Sequence, residues 1–450
     1  MRLSKGVLTS LMFVSAILVQ GCSGDDSFNP EEPEKLKVMY FDEDTFNQKY
    51  GQLIYSKFPN LEIEIVATQP IFTDSVVNME QAYRDVVEKE NPDVILMNTL
   101  TQYSELIEKN KLMDMEPMLL EEDFKSADLL PASLQLLREQ GGGKLYGIAP
   151  FFSTKVLYYN KDLFDQYKVP LPTKSMTWPE VIELAQRFPT TGSEEDRVYG
   201  FAMHVLLSDL GSAIGETLGL RLTDSAGKKV TVQSEGWKQV YKMAVDAQKS
   251  GAFYFPGTPK STQSIEESLN RDKFIIGKAA MGIEDFYLAN RMKMNATRVK
   301  KFNWGWLTEP YDPANPDVSS SFYLTEIYGV NADSANKEAA WQLVKYMNGD
   351  ETAKLLSRSH YGSLMTRTQY NQSDEGFNFD SFYSLQPPRG PEFFKYNLFN
   401  FARSLRELTD QELKAVAKGS KSLDEAITTI QNEGQLELDM ANKRMAEADK

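Results

Sequence analysis

Three stretches of this chain carry residue types at spacings that chemistry uses. Ser334-Ala335-Asn336-Lys337 sets a lysine three residues after a serine, the spacing of a Ser-x-x-Lys nucleophile. It also opens the helical pattern EAAWQLVKYM, where a serine serves as a cap for unpaired backbone N–H groups, and capping is the expected role. Gly141-Gly142-Gly143-Lys144 suggests a phosphate loop, but that pattern needs glycine at 138 and Ser or Thr after the lysine. Arg138 and Leu145 stand there, so a turn is expected. Asp312-Pro313-Ala314-Asn315-Pro316-Asp317 lacks the glycine and the spacing of a calcium loop.

What is missing narrows the chemistry further. His204 and His360 are the only histidines, far apart in the chain, and Cys22 is the only cysteine. A thiolate cluster and an internal disulfide are thereby excluded, and no HExxH or paired-histidine zinc spacing is present. No G-x-S-x-G elbow occurs, and no G-x-G-x-x-G follows a strand pattern. Neither a cofactor nor a metal is expected. The 64 carboxylates guarantee close pairs, so a two-carboxylate glycosidase stays open.

The elements that must position a site begin at Leu36. Leu36–Phe41 reads as a strand, and Phe46, Tyr50, Leu53, Ile54 and Phe58 then recur at helical spacing. Leu61–Ala67 alternates with period two, Val76–Val87 is helical, and Asp93–Met97 is a continuous apolar run. Strand and helix in alternation predict a parallel α/β sheet covered on both faces. Ligands of such sheets sit outside the carboxyl ends of the strands, which singles out Asp42, Glu43 and Asp44 after the first strand and Asn98-Thr99 after the third, with Asp42, Glu43 and Asn98 as the site candidates. Asp42 is equally placed to cap the helix that follows it.

Farther on, Leu145–Ser153 and Val156–Tyr159 are extended, apolar and aromatic. Asp162-Leu163-Phe164 makes a helical turn, and Pro170 and Pro172 break the chain. Thr177-Trp178-Pro179-Glu180 is a capping box before a helix through Val181, Leu184, Ala185 and Phe188. Trp237–Lys249 is helical, and Phe274–Glu284 runs from a helix end into a strand. Phe302–Leu307 is a strand with Trp304 and Trp306 on one face, fit for core packing or for a ligand. From about Asn371 to Phe401 the sequence is irregular and aromatic. Ser422 and Glu425 form a capping box for a last helix.

The order YGIAP, YYNKDLF, TWPE, F-x-x-GKAAM and the closing GSKSLDEA resembles the family 1 extracellular solute-binding proteins, receptors of ABC importers for sugars and related solutes. The resemblance implies an α/β, two-lobe, type II periplasmic-binding-protein-like fold with three crossovers, near Ser153, Phe322 and Asn371. One lobe would hold 36–153 and 323–371, the other 154–322 and 372–450. It adds Ser153, Thr154, Tyr323 and Asp285-Phe286-Tyr287 to the cleft candidates, with Trp306 beside them. Asp285-Phe286-Tyr287 replaces the Gly and Trp that many sugar-binding members carry, and an aromatic there suits the apolar face of a sugar ring. On this reading nothing is chemically changed: a monomer closes by hinge bending around a solute, expected to be a carbohydrate, and docks on the permease. The acidic candidates would equally suit a cationic solute.

The N-terminus fits an exported chain. Arg2 and Lys5 precede Val7–Val19, an uncharged run too short to span a bilayer. Leu18-Val19-Gln20-Gly21-Cys22 resembles a bacterial lipoprotein cleavage box, so 1–21 reads as a signal peptide and Cys22 as the lipidation site. Two acyl chains there would anchor the protein stably on the outer face of the cytoplasmic membrane. Residues 22–35, acidic and with hardly an apolar side chain, read as a tether. A net charge of −15 without a basic stripe excludes nucleic acid as a partner. A surface adhesion lipoprotein without a small ligand remains the other non-enzymatic reading.

Overall fold

A computed structural model describes residues 34–448, except 73–77, 121–123, 194–195, 204–205, 260–263, 359–362, 373–377 and 389–398. Cys22, the signal segment, nearly all of the tether, His204 and His360 lie outside the described residues. No helix among those described is long and apolar enough to cross a membrane.

Twelve strands are described: β1 (Glu34–Tyr40), β2 (Leu61–Ala67), β3 (Val94–Met97), β4 (Phe151–Ser153), β5 (Val156–Asn160), β6 (Tyr199–Ala202), β7 (Phe253–Tyr254), β8 (Ala279–Glu284), β9 (Trp304–Thr308), β10 (Tyr323–Thr325), β11 (Ile327–Val330) and β12 (Leu364–Met365). They form three sheets, in the orders β11-β3-β1-β2, β10-β4-β12 and β7-β6-β8-β5-β9. The first and third are the sheets of two α/β lobes, and β10-β4-β12 is a small sheet of its own.

In the first lobe β1 pairs in parallel with β2 and β3, as strand–helix alternation predicts, while the later β11 joins β3 antiparallel. Val94, Ile95, Leu96 and Met97 are all buried, since helices cover both faces of a central strand. The second sheet mixes directions: β6 runs parallel to β7 and β8, and β5 lies antiparallel between β8 and β9. Side chains alternate across β5, so Val156 and Tyr158 join the core shared with the first lobe. Leu157 joins a second core under the helices of the second lobe.

Local signals hold in detail. Thr177 and Glu180 make a reciprocal capping box, and Pro179 stands in the first turn of Trp178–Ala185. Ser422 and Glu425 cap the helix Leu423–Ala448 in the same way. Helix Glu235–Ser250 starts on Ser234 and ends on Gly251, which takes the left-handed conformation (φ 72°) that glycine accepts without strain. Gly142 and Gly143 also have positive φ, so the GGGK stretch is a turn. The expected role of Ser334 needs correction. Its hydroxyl donates to Asp93 Oδ1 (2.6 Å) and accepts from the Asn336 N–H, and Asn336 is the N-cap residue. Asp93 also accepts from the backbone N–H of Lys37, so Ser334 pins a loop to the first sheet and is no nucleophile.

The expected crossovers fall around the small sheet. Ser153 ends β4 opposite Tyr323 of β10, just after Phe322. Asn371 clasps β12, accepting from the Met365 N–H and donating to the Met365 carbonyl. The region from Asn371 to Phe401 was expected to be irregular, but it contains a short helix, Asp380–Tyr383, and the start of a long one at Phe399.

Candidate functional site

The carboxyl ends of the first lobe's strands carry a cluster of exposed side chains. After β1 come Phe41 and Asp42, after β2 the turn Gln69–Phe72, and after β3 Asn98 and Thr99. Two backbone bonds hold the first two loops side by side, Thr68 N–H to Tyr40 O and Gln69 N–H to Phe41 O, each 2.8 Å. That brings the rings of Phe41 and Phe72 to 6.0 Å, and both stay exposed, 41% and 36%. Sequence reasoning missed this pair. The usable signal was an aromatic immediately past a strand, where core packing has ended.

Asp42 takes the blander of its two roles. Its carboxylate accepts from the Thr45 N–H (2.7 Å) and hydroxyl (2.8 Å) as the N-cap of Glu43–Phe46. Glu43 is exposed in that first turn. Asn98 is exposed too: its N–H donates to Gln102 Oε1, and Thr99 caps the next helix. From the second lobe, Asp285 follows β8 half-buried. It accepts from the Tyr287 N–H (2.8 Å), and Ser153 of β4 donates to its other oxygen (3.5 Å). Tyr287 and Tyr323 are exposed, 53% and 51%, and have no place in either core.

Three expected site residues belong to packing instead. Trp306 is buried among Tyr158, Trp304, Phe379 and Phe382, and its indole N–H donates to Asn378 O (2.7 Å). Phe286 meets Phe379 and Phe382 edge-on at 5.3 and 5.9 Å. Thr154 is buried, bonded to Ser319 (3.3 Å) and Ser321 (3.2 Å).

Thr154 instead belongs to a polar knot that joins two crossing segments. Buried Glu309 accepts from the Ser319 hydroxyl, from the Ser320 N–H (3.0 Å) and from the Ser320 hydroxyl (3.0 Å). The Lys155 N–H donates to Ser321. Burial raises the pKa of Glu309, and the serine hydroxyls oppose the shift. Glu216, at the end of helix Leu207–Thr217, is pushed up to about 7 by burial. Lys155 opposes that shift, and Glu309 and Asp209 add to it. A partly buried carboxylate, Glu326, sits between β10 and β11 with φ 57°. It accepts from Lys49 (2.6 Å), Tyr50 (3.0 Å) and Tyr328 (2.9 Å). Lys49 also lies over the Phe151 ring at 3.9 Å, and burial lowers its pKa against the pull of Glu326.

No group of three His, Cys, Asp or Glu among the described residues could hold a metal. Glu309 and Glu326 are taken up by hydroxyl, amide and ammonium partners, and the exposed groups at the strand ends include the rings of Phe41, Phe72, Tyr287 and Tyr323. Exposed rings beside polar side chains are the kind of groups that stack on and hydrogen-bond a small solute.

A family model described as bacterial extracellular solute-binding protein matches residues 41–354. The sn-glycerol-3-phosphate-binding periplasmic protein UgpB of Escherichia coli is 22% identical over 295 residues, 63% of this chain. The chain spans 64% of that relative's length, just under two thirds. A sugar transporter from Rhizobium etli, solved in an open conformation, superposes with a TM-score of 0.62 at 20% identity, covering 89% of this chain and 99% of that one. A solute-binding protein from Agrobacterium vitis with bound D-mannitol gives 0.58 at 20% identity, covering 90% and 99%.

Proposed function

Because the chain belongs to the bacterial extracellular solute-binding protein family, we propose that it is the receptor of an ABC importer. It captures a carbohydrate between its lobes and hands it unchanged to the membrane permease. The observation that carries this reading is the set at the carboxyl ends: exposed Phe41, Phe72 and Asn98 on one lobe, half-buried Asp285 and exposed Tyr287 on the other, with exposed Tyr323 on the small sheet. Aromatic rings left in water at a ligand-binding edge lose apolar burial unless a ligand's apolar face covers them. Sugar rings offer such a face together with hydroxyls for Asn98 and Asp285. The sugar-binding neighbours support the same cargo class.

The lobes are assigned as 36–153 with 323–371 and 154–322 with 372–450, joined at three crossings around the small sheet. Hinge bending at these crossings would close the lobes, and the closed, loaded form is the one a permease would select. Cys22 is proposed as the lipid anchor, holding a monomeric receptor on the outer face of the membrane.

The test is a thermal-shift screen of the full chain in detergent against monosaccharides, oligosaccharides, polyamines and glycerol 3-phosphate. A ligand at a hundred times its dissociation constant stabilises by about 2.7 kcal/mol. A saccharide that stabilises and is recovered intact supports the receptor. A saccharide that is consumed overturns it in favour of a carboxylate-pair hydrolase. Stabilisation by glycerol 3-phosphate alone keeps the receptor and replaces its cargo.

A further inference from the structure

A separate cavity of about 1390 Å³ opens between the lobes on the β12 side of the small sheet. One wall runs through the helix Tyr287–Met294 and on to Trp304. The other is built from Lys354–Arg358 and from the β12 loop as far as Gln372. Tyr323 lies on β10, the opposite edge of that sheet, and neither Asn98 nor Tyr287 reaches this cavity.

Its charge is the reverse of the chain's. Lys161, Lys293, Lys300, Lys301, Lys354 and Arg358 line it against a single carboxylate, Asp162, in a protein of net charge −15. Asp162 is already engaged by Asn303, which donates to it through its backbone N–H (3.1 Å) and its side-chain amide (2.8 Å). Among the described residues no ion pair takes up Lys161, Lys300, Lys301 or Lys354. Like charges gathered in a concavity focus a positive potential into it and attract an anion. Half-buried rings of Phe302 and Trp304 line the same space.

We propose that this cavity is a second ligand site, for an acidic saccharide whose rings carry carboxylate or sulfate groups. Ring faces would lie on the aromatic side chains, and the acidic substituents would meet the lysine ammonium groups. A neutral sugar would leave the cations unused, and a bare anion would leave the rings unused. Both lobes wall the cavity, so a bound chain bridges them and couples to their rotation.

The test is calorimetric titration of the full chain in detergent with an oligogalacturonate, a neutral maltooligosaccharide of equal length, and inorganic sulfate. The oligogalacturonate is expected to bind the wild type. It should bind K300E/K301E at least about tenfold more weakly, and its affinity should fall as salt shortens the screening length below about 10 Å. Cleft binding, read with the solute that the thermal screen identifies, should be unchanged in K300E/K301E, which separates failure here from failure of the receptor reading. Equal oligogalacturonate affinity in wild type and variant, or no binding at all, would overturn the site. So would sulfate binding as tightly as the oligosaccharide, or the neutral chain responding equally to the charge reversal.

Discussion

Tyr287 and Phe286 are neighbours in sequence and do different work. Tyr287 is exposed at the proposed cleft, while Phe286 is wedged against Phe379 and Phe382. Tyr287→Ala should therefore weaken solute binding by about tenfold or more, with little change in melting temperature. Phe286→Ala should lower the melting temperature, at a cost of about 3 kcal/mol, and leave affinity nearly intact. Calorimetry and thermal melts on the two variants separate the roles. Glu216 gives a pH signature. Its folded pKa of about 7 lies above the unfolded carboxylate value of about 4.3. As pH climbs between those values the unfolded chain releases this proton and the folded one keeps it, so stability falls until pH passes about 7. Glu216→Gln should flatten the decline in melting temperature between about pH 5 and about pH 7.5; an unchanged slope would remove Glu216 as its source.

Elements in this fold are held by close approaches that composition does not announce. A Cβ on Gly215 would stand 2.4 Å from the Trp237 ring, so the helices Leu207–Thr217 and Glu235–Ser250 meet only because that position has no side chain. Gly215→Ala should cost about 1–3 kcal/mol in a denaturant melt. Glu326 ties the strap between β10 and β11 to Lys49, and breaking a buried pair strands its partner. Glu326→Ala is expected to destabilise by about 3–5 kcal/mol, in contrast to the exposed pair Lys168–Asp165, whose loss should be barely measurable. Strand–helix alternation, capping boxes and the carboxyl-end rule were legible in the sequence because each is a local signal. Trp306, Phe286 and Thr154 were misplaced because nothing local tells a core aromatic or hydroxyl from a cleft one. Burial of Trp306 is decided by Phe379 and Phe382, more than seventy residues away in the chain. The Phe41–Phe72 pair was missed for the same reason, since two loops meet only when β1 and β2 pair.

At the scale of the molecule, everything proposed for the function depends on a solute gripped from both sides. The measurement that bears on this most directly is calorimetric titration of the best saccharide from the thermal screen into wild type, Asn98→Ala and Tyr287→Ala. The two substitutions sit on different lobes and lie more than 180 residues apart in the chain. A solute held in the cleft predicts that each variant alone loses about tenfold or more in affinity while keeping its fold. Wild-type affinity in both variants would contradict capture between the lobes and remove the cleft as the binding site.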